Sequence, residues 1–166
     1  MGHHQSLGPE YRPETLNLKS RERKTRTMKT PLATRVFLAI AGFIGFAIGG
    51  ALLFVPAEFQ ASAGIVLGDD VNLLSDTRAA GGTLFTAGLV IALGVFTPRM
   101  VRTSLVLSGL IYLSYGASRV LGLVLDGMPQ SSLIAAMVVE IIIGVMGLVL
   151  LRAWHRTQME SPLINP

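Results

Sequence analysis

At 166 residues, 51% hydrophobic and only 14% charged, the chain falls well short of the roughly 25% charged residues of a soluble domain, so lipid is the solvent its composition fits. It contains no cysteine, which excludes structural disulfides, thiolate metal sites and cysteine nucleophiles. The net charge is +4, but eight of the fourteen Lys and Arg precede residue 36; such a bias reads as the cytoplasmic mark of a membrane protein rather than as a nucleic-acid contact.

Residues 1–30 form a polar tail with the basic run Lys19, Arg21, Arg23, Lys24, Arg26, Lys29. It is expected to be disordered and held near anionic headgroups. Met28 is an alternative start, because nothing before it is needed by the fold. The transmembrane domain is expected over residues 31–156, followed by a short tail, 157–166. Span one, about 36–55, supplies roughly the 20 apolar residues a bilayer core demands. Ala41, Gly45 and Gly49 recur every fourth residue in it, a spacing that lets another helix of the same bundle approach closely. Its apolar run exceeds a signal-peptide core of about 7–15 residues, so it reads as an uncleaved anchor. Between Pro56 and Asp76 the connection is too apolar for a free loop and reads as a flap in the headgroup region. Its charges, Glu58, Asp69, Asp70 and Asp76, are all acidic.

Span two, about 77–96, is expected to start from an N-cap at Ser75 and opens with Arg78-Ala-Ala-Gly-Gly82. Thr97-Pro98 closes it, and Arg99 and Arg102 follow in a basic turn. Span three, about 101–125, and span four, about 131–151, are joined by the tight loop Asp126-Gly-Met-Pro-Gln130. Arg152, Trp154, His155 and Arg156 then read as an interfacial anchor. With both termini in the cytoplasm, the inner segments carry twelve Lys and Arg, while the outer loops carry five acids and no free base. The fold class is therefore all-α: an integral membrane four-helix bundle, oriented by this charge asymmetry with both termini cytoplasmic.

Two charges lie inside the last hairpin, Arg119 and Glu140. Ionisable residues at a helix centre cost roughly 2.5–3.5 kcal/mol to insert, so they face a partner, a cavity or a ligand. At 100° per residue, Ser104, Ser108, Tyr112, Tyr115, Arg119, Gly122 and Asp126 share one stripe of span three. A polar stripe along a whole span must face protein or water, because hydrocarbon cannot satisfy it. Counted down from the outer helix ends, Arg119 lies about 10 Å deep and Glu140 about 14 Å deep, within reach of one another. Arg78 is expected to join Asp126 or Asp76 above them. The candidate site is thus a polar seam of Arg78, Tyr112, Tyr115, Arg119, Asp126 and Glu140.

Three readings of this seam compete: an ion pair that fixes helix register, a pocket in which Arg78 and Arg119 hold the anionic or carbonyl head of a lipid-like, quinone-like or sterol-like ligand, or an oligomeric carrier moving a proton or cation on Glu140. Soluble-enzyme constellations are missing: the glycines sit in apolar spans rather than in a phosphate loop, and two of three histidines lie in the tail. The expectation is a non-enzymatic module with no cofactor and no bound metal. Its expected partners are membrane lipids, a small amphipathic ligand and, for the carrier reading, a second copy of the chain.

In Arg78-x-x-Gly-Gly82, in Arg119 followed by Asp126-Gly-x-Pro129, and in Glu140 of span four, the sequence resembles the bacterial four-span membrane family known as domain of unknown function 4345. The resemblance covers roughly Leu38 to Leu151. It implies a four-helix membrane fold and a candidate site at these residues, without a reaction.

Overall fold

The computed structural model describes residues 30–160, so the basic tail over 1–29 and the last residues, 161–166, lie outside it. Helix α1 covers Leu32–Phe54, α2 Pro56–Ser62, α3 Val71–Phe96, α4 Val101–Asp126 and α5 Ser131–Glu160, with a 3-10 turn at Pro98–Met100 between α3 and α4. Four of these helices are long and apolar enough to cross a membrane.

The spans begin or end farther out than the hydropathy pattern predicts. Helix α3 starts at Val71 rather than near residue 77, and its N-cap is Asp70, not Ser75. The Asn72 and Leu73 N–H groups donate to Asp70 Oδ1 at 2.8 and 3.3 Å, which satisfies two donors a helix start leaves open. The supposed flap therefore divides into the short helix α2, a turn, and the first turns of α3. Helix α5 continues through the expected anchor to Glu160, about 45 Å at 1.5 Å per residue, so its end projects beyond a ~30 Å hydrocarbon core. Trp154, placed by sequence at the interface, packs against the edge of the core.

The four long helices associate as two tight pairs, α1 with α3 and α4 with α5. Small residues make the first pair. A Cβ placed on Gly42 would stand 2.8 Å from the backbone N of Ala92, and one on Gly88 would stand 2.7 Å from the backbone C of Gly45. The recurrence of small residues in α1 thus serves packing within one chain, as expected. The second pair follows the same logic, since a Cβ on Gly144 would stand 2.9 Å from the backbone N of Leu113. Between the pairs, Ser104 of α4 donates to the Val90 carbonyl of α3 at 2.9 Å. Leu38, Ile91, Val101 and Leu105 are essentially fully buried. They set the core at the end where α1 and α4 begin, here called the basic end because Arg35, Arg99, Arg102, Arg152 and Arg156 are exposed there. Glu58, Asp69, Asp70, Asp76 and Asp126 mark the opposite, acidic end.

The outer surface is apolar: Ile40, Phe43, Leu89, Leu110, Val138 and Ile142 are all exposed, whereas Ser104 and Ser108 are buried completely. That arrangement suits a bundle solvated by lipid, with these two serines turned inward. On the acidic end the two hairpins meet where Gln130 packs over Gly64. Gly64 has φ +76°, so a larger residue would meet both backbone strain and the Gln130 side chain.

Candidate functional site

The polar stripe of α4 faces inward over most of its length. Ser104 and Ser108 are fully buried, and Ser108 donates to its own helix at the Leu105 carbonyl, 2.9 Å away. Tyr112, 4% exposed, donates its hydroxyl hydrogen to the Ala41 carbonyl of α1. Gly45 makes room for it, since a Cβ there would stand 3.3 Å from the Tyr112 hydroxyl oxygen. One turn on, Tyr115 and Arg119 are half-buried, and Asp126 is exposed. The stripe therefore runs from a buried core at the basic end to an exposed carboxylate at the acidic end.

Arg119 and Glu140 meet as their depths predict. Arg119 Nε donates to both carboxylate oxygens of Glu140, at 3.0 Å to Oε2 and 3.2 Å to Oε1. Their side chains are 33% and 15% exposed. Close approach of α4 and α5 permits the pair: a Cβ on Gly116 would stand 3.4 Å from the Ile141 backbone N and 3.7 Å from the Glu140 Cβ. The charge of each is balanced inside the bundle by the other, the condition under which buried ions are tolerated.

Beside this pair lies a crevice of about 90 Å³ between α1 and α5. Ile44, Gly45, Ile48 and Leu52 of α1, Leu84 of α3, and Ala136 and Val139 of α5 supply its apolar walls. Its polar lining consists of Tyr112, Tyr115 and Glu140. Arg119 stands behind the carboxylate and does not line it. Along the same two helices, toward the basic end, follows an apolar groove of about 620 Å³ lined by α1 residues from Leu32 to Ala41 and by Ile142, Ile143 and Met146 of α5. The cleft exists because α1 and α5 barely touch. Sequence reasoning found the polar residues but missed these apolar walls, since aliphatic side chains in α1 and α5 look alike whether they face lipid or a cleft. Gly45 was the available signal.

Two expected members of the seam stand elsewhere. Arg78 turns to the end of α1, where its terminal nitrogen donates to the Leu53 carbonyl and, at 3.5 Å, to the Phe54 carbonyl. A helix C-terminus offers unpaired carbonyls and the negative end of the helix dipole, so this guanidinium finds its partner in backbone rather than in Asp126 or Asp76. Asp126, exposed at the last turn of α4, forms no ion pair among the described residues. Of the six candidates, Tyr112, Tyr115, Arg119 and Glu140 come together; Arg78 and Asp126 do not join them. Among the described residues no group of three His, Asp or Glu is placed to hold a metal ion.

No curated protein and no solved structure matches this chain. The model of the family described as Domain of unknown function (DUF4345) matches residues 33–151. That stretch contains α3 and α4 whole, nearly all of α1, α5 as far as Leu151, and every residue of the Arg119–Glu140 site; it is well over half of the chain, which therefore belongs to that family.

Proposed function

We propose that this multi-pass membrane protein is a non-enzymatic module that holds a small amphipathic molecule in the cleft between α1 and α5. The observation that carries the reading is the crevice itself. Glu140 and two tyrosines line a crevice between α1 and α5, and a separate apolar groove follows along the same two helices, a combination of apolar walls and few polar groups typical of ligand sites. The ion pair of Arg119 with Glu140, one N–H shared between both carboxylate oxygens, weighs against a carrier that loads and unloads a proton there, because each cycle would break the pair. We place both termini on the cytoplasmic side of an inner membrane, an orientation that the charge asymmetry between the two ends supports.

Mass spectrometry of lipids co-purifying with the protein in mild detergent tests the proposal. Ala136→Leu, which fills the crevice from its α5 wall, serves as the comparison. A lipid enriched over the bulk membrane and lost in the folded variant is the expected result. Bulk-like lipid in both samples would reduce the pair to a structural device.

A further inference from the structure

We infer that the head recognised in the crevice is a neutral hydroxyl, as in a long-chain, isoprenoid or sterol-like alcohol, and that it is neither an anion nor a bare carbonyl. The inference rests on the cleft reading above and specifies its ligand. Four observations lead to it. First, no uncompensated cation faces the crevice. Arg78 is committed to the α1 carbonyls, and Arg119 lies behind the Glu140 carboxylate that it neutralises. An anionic head would meet a carboxylate as its nearest charged neighbour.

Second, Glu140 lines the cavity, and its carboxylate, held by a single N–H of Arg119, keeps lone pairs for a further donor. A ketone or quinone carbonyl has none to give. Third, Tyr115 lines the same cavity and makes no hydrogen bond with the described residues, unlike Tyr112, whose proton is spent on the Ala41 carbonyl. Tyr115 can therefore donate to an oxygen, and a hydroxyl accepts from it while donating to Glu140. Fourth, Glu140 lies nine residues into α5 from Ser131, about 14 Å below the acidic end at 1.5 Å per residue. Drawing a net charge to that depth carries the cost of intramembrane ions; a hydroxyl carries far less.

Three photoreactive probes with the same diazirine-bearing chain separate the cases: the primary alcohol, its methyl ether and the carboxylic acid. The full-length protein in nanodiscs is labelled at increasing probe concentration, and the labelled peptides are mapped. The alcohol is expected to label α1 and α5 saturably, with about tenfold or more weaker labelling by the ether, which cannot donate to the carboxylate, and by the acid. Tyr115→Phe, whose hydroxyl supports no contact in the fold, lowers alcohol labelling and leaves the ether unchanged. Saturable labelling in which the ether equals the alcohol, or the acid exceeds it, overturns the hydroxyl assignment and leaves the cleft as a binding site. Absence of saturable labelling of α1 or α5 by all three probes overturns the cleft reading as well.

Discussion

A guanidinium in lipid has to be matched, and in this chain two arginines solve that requirement differently. Arg78 ends on the backbone carbonyls that close α1, whereas Arg119 ends on the carboxylate of Glu140. The second pairing was legible in the sequence because two charges at similar depth on consecutive antiparallel helices have few other partners. The first was not, because a helix C-terminus offers carbonyls whatever residues occupy it. The Arg119–Glu140 pair carries a quantitative expectation. Arg119→Leu strands the carboxylate and should lower stability by about 2–3 kcal/mol, below the 3–5 kcal/mol of a fully buried pair because the arginine is partly exposed. Adding Glu140→Leu removes the stranded charge, so the double variant should recover part of that loss. Thermal unfolding of the wild type, both singles and the double in one detergent measures the coupling. Losses that simply add would show that the two side chains do not depend on one another.

At the scale of the helices, small residues decide which faces meet. The expectation that Ala41, Gly45 and Gly49 receive a neighbouring helix within the bundle matches the structure, with α3 against Gly45 and Gly49 and Tyr112 of α4 against Ala41. Helix ends were less legible. The α3 start falls at Asp70 rather than Ser75, since both residue types cap well and only the backbone decides between them. The continuation of α5 past Leu151 was hidden because hydropathy registers where lipid stops, not where a helix does. The α1–α3 contact gives a contrasting pair of glycine variants. Gly88→Leu would drive its Cβ to 2.7 Å from the Gly45 backbone C and 2.9 Å from the Gly42 carbonyl oxygen, where neither backbone can yield. It should cost at least the ~1–3 kcal/mol typical of overpacking and broaden the unfolding transition. Gly122→Ala meets only the Asp126 carboxylate at an ordinary 3.7 Å. It should leave stability unchanged or raise it by up to ~1 kcal/mol through helix propensity. Equal destabilisation by the two would mean that the α1–α3 interface is looser than its glycines require.

The whole molecule is polarised along the bundle axis. Its core and five of its exposed arginines lie at one end, and five acidic residues and the opening of the polar seam at the other. Four helices connected in this order bring residues 30 and 160 to the same end, so the turn at Pro98–Met100 and the loop around Asp69 lie on opposite sides of any membrane the bundle spans. The proposed orientation, with this end cytoplasmic, rests on charge: Arg99 and Arg102 are exposed at the end where residue 30 lies, while the other end carries acids. The absence of cysteine makes this directly measurable, because one introduced thiol is the only one present. Asp69→Cys and Arg99→Cys both replace exposed residues that make no ion pair among the described residues. In intact bacterial cells whose outer membrane has been permeabilised, a membrane-impermeant maleimide should label Asp69→Cys and spare Arg99→Cys until the inner membrane is opened. The reverse pattern would invert the orientation and leave the bundle intact. Labelling of both from outside would mean that the chain between them does not cross the membrane as α3, which would undo the four-span arrangement on which the depth of Glu140 depends.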